Sequence, residues 1–398
     1  MEEKFRIPAG EIYDRIRRIQ TELIENKFGG LLIVQRVDLL YLAGTAQNGF
    51  FYIPAEGEPL LLVKRYLPRA REESPVKNMV EIKSVKDVPL RINDFYGEAP
   101  RVLGFELDVV PVNDFKFYCQ LFPGQKCIDA SSLIHKVRKI KSKWDIEQME
   151  KAAELSSRTF EYIRENIRPG YSEMEFAGMF ETFARKFGHG AKLRSRNYQT
   201  EAYPWHVLSG ENGGMIGVLD SPFSGNGTSL AFPSGAGSRK LAENEPILID
   251  LGTVLNGYHF DETRMFAIKS MPIKAYDASM ASIDIHNEVL DNVRPGVSLE
   301  DLFAISVAKA ESLGYSEYYL GPPGYKVSFI GHGIGLELVE EPIISSKRKD
   351  RLEPGMMFAL EPKLTFENEF AAGIESVFLV TETGHRLISR VPVKIFIC

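Results

Sequence analysis

The chain is poor in the residues that staple small secreted proteins and in those that grip nucleic acid. Only three cysteines occur in 398 residues, Cys119, Cys127 and Cys398. They have no zinc-type spacing, and so few suit a reducing compartment better than a disulfide scaffold. No apolar run approaches the roughly 18–20 residues of a membrane span. The leading MEEKFRIPAG lacks the charged-then-apolar layout of a signal peptide, so a cytoplasmic protein without a membrane partner is expected. Basic surplus is missing too. The formal net charge is -6, and the densest basic run, Lys136 to Lys143, reads as a solvated linker or helix face, which argues against nucleic acid as a partner. Phosphate-cradling loops are absent: the Gly- and Ser-rich stretch 208–238 holds neither GxxxxGK(S/T) nor GxGxxG after a strand, and reads as a loop near a site.

What is present is the composition of a globular protein, 44% hydrophobic and 26% charged, in a chain long enough for two cores. Residues 10 to 125 alternate helix and strand: a periodic segment from Ile12 to Lys27, then GLLIV, FFYIP and PLLLV, the last two around a Gly-Glu turn. A helical linker is expected over 131–149. The amphipathic run DIEQMEKAAELSSRTFEYIREN then opens a second domain, 150–398, in which helices and strands follow in irregular order, α+β rather than doubly wound. One internal echo stands out. IRPGYSEMEF (167–176) and VRPGVSLEDLF (293–303) share Arg-Pro-Gly, a spacer, a serine and an acidic helix start. Ordinary helix punctuation explains each, and two halves built on one plan would explain both.

The stretch ILIDLGTVLNGYHFDETRMF (247–266) reads as a hairpin around Asn256-Gly257, and a midpoint between Leu255 and Asn256 would set Asp250 directly opposite Asp261. Like charges so placed are destabilising, so a cation is expected between them. Downstream, His332 stands between glycines in FIGHGIGLELVEEP, Glu361 ends the apolar run of MMFALEPKL, and Glu375 interrupts that of AAGIESVFLV. A carboxylate inside an apolar strand is costly unless paired or metal-bound. Two aspartates, two glutamates and one histidine form an oxygen-rich set suited to divalent manganese, cobalt, iron or zinc, and bridging carboxylates favour two ions.

The order Asp, Asp-x-Thr-Arg, Gly-His-Gly-Ile-Gly-Leu-Glu, Glu-Pro, Ile-Glu resembles the metal-dependent pita-bread hydrolases: methionine aminopeptidase, aminopeptidase P, prolidase and creatinase, the M24 peptidases. The resemblance implies a pita-bread catalytic domain with an internal pseudo-two-fold, preceded over 1–130 by a smaller α/β creatinase-type domain that includes VDLLYLAGT at 37–45. It makes Asp250, Asp261, His332, Glu361 and Glu375 the ligands of two divalent ions (Mn2+, Co2+, Zn2+ or Fe2+), with Thr263 and Arg264 in supporting positions. It implies hydrolysis of a C–N bond, next to proline in a short peptide or in a small non-peptide amide or amidine as in the creatinase branch, with Glu361 relaying the proton. A retired peptidase scaffold serving as a binding protein is the other reading. A homodimer is expected.

Departures from the family accompany it. Peptidases of the family carry a histidine seven positions after the ligand histidine, where this chain has Val339. A second histidine normally precedes the first aspartate, and 207–258 contains none. The prolidase branch has an arginine where this chain has Gly373. Substitutes are available. His259, two positions before Asp261, shares its strand face. Lys363 could bind a substrate carboxylate or an oxyanion, and His206 could line the cleft beside Trp205. Glu361, His259 and Lys363 are therefore the expected catalytic residues.

Overall fold

The computed structural model describes residues 5–196, 205–217 and 220–398. Outside these lie the first four residues of MEEKFRIPAG, Ala202 to Pro204 ahead of Trp205, and Val218 and Leu219 within the Gly- and Ser-rich stretch. Two compact units separate between Arg138 and Lys139, with Arg196 counted in the first.

The first unit is a six-stranded mixed sheet with helices. Its strands are β1 (Gly30–Ile33), β2 (Gly49–Pro54), β3 (Leu60–Val63), β4 (Asn78–Glu81), β5 (Val102–Phe105) and β6 (Lys126–Asp129), in the order β4-β3-β2-β1-β5-β6. The helices are α1 (Ala9–Glu25), α2 (Arg36–Ala43), α3 (Leu67–Glu73), α4 (Asp87–Tyr96), α5 (Val112–Leu121) and α6 (Ser131–Arg138). The unbroken apolar runs of β1, β2 and β3 are buried along their whole length, as runs without alternation should be when both sheet faces are covered. Along α1, Ile12, Ile16, Ile19 and Leu23 make the buried stripe that a helical period demands.

The second unit begins with α7 (Lys143–Asn166). Ser142 accepts from the Asp145 N–H while the Asp145 carboxylate accepts from the Ser142 N–H, a reciprocal cap. The expected linker over 131–149 is corrected here: α6 belongs to the first unit, and α7 starts four residues after the boundary because the Ser-x-x-Asp cap nucleates it there. After α7 come α8 (Glu173–Lys186), β7 (His206–Ser209), β8 (Ile247–Leu255), β9 (Tyr258–Ala267), α9 (Ile273–Asp291), α10 (Leu299–Ser312), β10 (Phe329–Gly333), β11 (Glu340–Ser345), β12 (Met357–Leu360), β13 (Lys363–Phe366), β14 (Phe370–Gly373), β15 (Ser376–Val380), β16 (His385–Leu387) and β17 (Phe396–Ile397). They form sheets ordered β17-β9-β8-β7 and β11-β10-β12-β15-β16, with β13-β14 as a separate pair. Helices α7 and α8 pack an aromatic and aliphatic core around Phe160, Phe176 and Phe180 against the first sheet, while residues of α9 and α10 share a core with β10, β12 and β15. No helix among the described residues is long and apolar enough to cross a membrane.

The echo in sequence is an echo in structure. Ser172 caps α8 and Ser298 caps α10 through the N–H three residues on. Gly170 and Gly296, at φ 96° and 89°, donate to the carbonyls of Leu241 and Leu352, and Ser172 and Ser298 bridge to Lys240 and Arg351. Each half thus docks its second helix by the same Arg-Pro-Gly device against a strand-like segment further along.

The hairpin forms around the expected turn, with a corrected register. Asn256 and Gly257 both take positive φ, 56° and 89°, and occupy the two central positions of the turn, so Leu255 pairs with Tyr258. Counting back from that pair, Asp250 faces Thr263 and Gly252 faces Asp261. The two aspartates are diagonal neighbours on one face, not directly opposed, which widens the gap between their carboxylates.

Candidate metal centre

All five expected ligands come together in the second unit. Asp250 and Asp261 project from β8 and β9, His332 from β10, Glu361 from the break between β12 and β13, and Glu375 from the step between β14 and β15. Four of them, together with Lys363, His206 and Val339, line a cleft of about 310 Å³. The glycines beside His332 serve the strands. A Cβ on Gly331 would sit 2.4 Å from the Ala359 carbonyl oxygen and one on Gly333 2.8 Å from that of Glu340, so only glycine lets β10 press against both neighbours.

At one end of the cleft, ligand atoms of Asp261, His332 and Glu375 lie within 4.8 Å of one another. His332 Nδ1 donates to the Gly333 carbonyl, 3.0 Å away, which leaves the lone pair on Nε2, 3.6 Å from Glu361 Oε1 and 3.9 Å from Asp261 Oδ2. Glu375 Oε2 accepts from Thr263 Oγ1 at 2.8 Å, while its Oε1 is buried with no hydrogen-bond partner among the described residues. Such an orphaned acceptor beside a free imidazole lone pair fits a cation. Burial, then the charges of Glu375 and Asp250, push the Asp261 carboxyl well above the usual range; burial does the same to Glu375. These are carboxylates in want of positive charge. Behind them the fully buried Arg264 donates to the carbonyls of Glu375, Thr263, Val391 and Pro392.

The other end is different. Lys363, only 3% exposed, places its Nζ 2.7 Å from Glu361 Oε2, 3.2 Å from Asp250 Oδ2 and 3.6 Å from Glu375 Oε2. Its ammonium also stands 5.3 Å from the centre of the Phe223 ring. Burial opposes charge on Lys363, but Asp250, Glu361 and Glu375 outweigh it and hold the ammonium firmly protonated. Burial likewise opposes charge on Asp250, yet Lys363 and His206 keep its carboxyl below the usual range. Lys363 is thus corrected from a substrate-binding group: its donors are committed to the site's own carboxylates.

His259 is corrected as well. Its Nε2 accepts from the Arg194 N–H at 2.9 Å and its Nδ1 faces the Gly335 carbonyl at 3.3 Å. With both nitrogens committed, and burial depressing its pKa to about 4, the neutral ring pins two loops and has no free atom to move a proton. His206 lines the cleft as expected. It pairs with Asp250 across β7 and β8, its Nδ1 is 3.6 Å from Asp250 Oδ2, and neither ring nitrogen has a hydrogen-bond partner among the described residues. Asp220 and Ser221, foreseen only as part of a loop near a site, also line the cleft, as do Leu193, Phe329, Leu338 and Ile343. No local pattern marks that apolar wall, because its members come from separate loops and strands.

A two-halved α+β unit that gathers buried carboxylates and one oriented imidazole at a cleft is the frame of a metal-dependent hydrolase. The chain belongs to metallopeptidase family M24: the family's model matches residues 147–382, and the creatinase/prolidase N-terminal domain model matches 15–140. Among curated relatives, the Xaa-Pro dipeptidase of Pyrococcus furiosus is 25% identical over 385 residues, 95% of this chain and 98% of that one. Peptidase YqhT of Bacillus subtilis is 24% identical, over 95% of this chain and all of its own. Among solved structures, a Bacillus anthracis Xaa-Pro dipeptidase superposes with a TM-score of 0.83 at 23% identity, covering 97% and 100% of the two chains. An X-Pro aminopeptidase from Thermotoga maritima reaches 0.80 at 22%, covering 96% and 99%.

Proposed function

We propose that this chain is a divalent-metal-dependent peptidase that hydrolyses the amide bond before proline in short peptides, in the manner of an Xaa-Pro dipeptidase. The observation that carries the reading is the convergence of Asp261, His332 and Glu375, with an unpartnered buried oxygen on Glu375, at the wall of a cleft large enough for a dipeptide. The relatives named above as Xaa-Pro dipeptidases support the choice of bond. These three residues would hold the metal, which supplies a Lewis acid for the scissile carbonyl and lowers the pKa of water.

The chain's own groups supply the remainder. Glu361, with one oxygen toward His332 and the other toward Lys363, is the carboxylate placed to take a proton from the attacking water and return it to the leaving nitrogen. Leu193, Phe329, Leu338, Val339 and Ile343 offer an apolar wall for a pyrrolidine ring and shed water from the reacting bond. His206 is the free imidazole nearest the site and suits the substrate's backbone groups. The three free cysteines suit a reducing cytoplasm, and a homodimer is part of the same reading.

The test is release of free amino acid from a panel of Xaa-Pro dipeptides and matched dipeptides without proline, and of ammonia or amine from small amides and amidines, by protein stripped with chelator and reloaded with Mn2+, Co2+ or Zn2+. Metal-dependent cleavage confined to the Xaa-Pro members is expected. Cleavage of the small amides alone would reassign the substrate, and no metal uptake at all would remove the reading.

A further inference from the structure

We infer that Lys363 supplies, as a built-in ammonium, the positive charge that a second divalent ion would bring, so that the site takes one metal ion per chain where the residue types alone suggest two. The inference rests on the metal-dependent reading above and concerns the composition of that same centre.

Three observations carry it. The first is occupancy. Nζ of Lys363 lies 2.7, 3.2 and 3.6 Å from oxygens of Glu361, Asp250 and Glu375, the carboxylates that a second ion would need. An ion bonded to oxygen at about 2.0–2.2 Å would be forced against the ammonium. The lysine is 3% exposed, and any move away from this position breaks its ion pairs to three carboxylates.

The second is the space made for its stem. Lys363 pairs across β13 and β14 with Gly373. A Cβ on Gly373 would sit 2.9 Å from Lys363 Cγ. A long side chain at 373 and a buried lysine at 363 therefore exclude each other. Gly373, where the family resemblance implies an arginine, leaves the room that its direct cross-strand partner Lys363 uses to turn its ammonium inward.

The third is charge. The four carboxylates Asp250, Asp261, Glu361 and Glu375 against one ammonium leave three negative charges when all are ionised. One divalent ion at Asp261, His332 and Glu375 leaves a single negative charge. Two would need a further anion such as hydroxide to bring the site back from a net positive charge while the ammonium stays in place. Asp250 then serves as counter-ion to the lysine and not as a ligand, and Glu361 bridges the ammonium and the metal end.

The decisive measurement is elemental analysis, joined to Mn2+ electron paramagnetic resonance, of full-length protein stripped and reloaded with excess Mn2+ and passed through a desalting column. One ion per chain with the hyperfine-resolved spectrum of an isolated ion is expected. Asp250→Asn keeps that ion and that spectrum, and Asp261→Asn loses both. Lys363→Met, which frees the oxygens of Asp250 and Glu361, takes up a second ion and shows a spin-coupled spectrum. Two spin-coupled ions in the unaltered protein, loss of the ion in Asp250→Asn, or a folded Lys363→Met that still takes one, each overturns the inference and leaves the peptidase reading intact. Should Lys363→Met not fold, the Asp250→Asn arm decides alone. No ion in the unaltered protein overturns both.

Discussion

The two ends of the cleft solve the same electrostatic problem in different ways. At Asp261, His332 and Glu375, burial and neighbouring carboxylates outweigh the more distant Lys363, and the carboxyls' affinity for protons rises accordingly. At the end formed by Asp250 and Glu361, a lysine is covalently part of the chain and the problem is solved before any ligand arrives. The lesson is that a row of carboxylates in sequence counts potential ligands, not ions. What decides is whether a neighbouring strand contributes a cation of its own.

The comparison breaks most visibly at the metal end. Asp261→Asn is expected to lower kcat on a Xaa-Pro dipeptide by about a thousandfold or more, because it removes a ligand and with it the Lewis acid. Steady-state kinetics at saturating Mn2+ check this. At the lysine end, metal-free Lys363→Met should lose about 3–5 kcal/mol of stability, since Asp250 and Glu361 are left buried without their cation. Urea unfolding with and without Mn2+ should show the metal restoring part of that loss in the variant while shifting the unaltered protein less.

A smaller effect sharpens the comparison at the wall between the ends. Val339 lines the cleft at the position where the family resemblance implies a histidine, and Val339→His should raise kcat about tenfold with little change in KM, the yield of one added hydrogen-bond donor. If the unaltered protein is already fast and the variant slower, His206 carries that role. The smallest effect lies away from the cleft. His189 and His286 are buried, and burial lowers both from an ordinary 6.5 to about 4. Their folded forms bind protons less readily than the unfolded chain, so their stabilisation is complete above about pH 6.5 and lost as pH falls toward about 4. The urea midpoint should decline across that window, and His286→Gln should flatten the decline. Activity lost there with the midpoint unchanged belongs to the cleft.

Much of this was legible in the residues. Asn256-Gly257 announced the hairpin, three of the five metal-type residues, Asp261, His332 and Glu375, gather within reach of one another, and the repeated Arg-Pro-Gly announced the two halves. Sequence reasoning erred where partners come from afar. The register slipped because a two-residue turn places both Asn256 and Gly257 inside it, which moves Asp250 opposite Thr263. His259 was correctly placed on the face of Asp261, but the Arg194 N–H and Gly335 carbonyl that occupy its nitrogens come from loops far along the chain. Gly373, in place of the arginine that the resemblance implies, and Lys363, beside Glu361, were both visible in the sequence. That they face each other required the β13–β14 register, which no window of sequence supplies.

Arg264 also ties the site to distant parts of the chain. Its guanidinium joins β9 to carbonyls at Glu375, Val391 and Pro392, across separations of 111 to 128 residues. Contacts so distant close large loops, and the entropy of closing them must be met before they stabilise anything. The place of Glu375 is therefore tied to the same guanidinium that holds residues 391 and 392 against the hairpin. A pocket fastened in this way keeps its shape through the chain's own contacts and does not depend on a ligand to gather it.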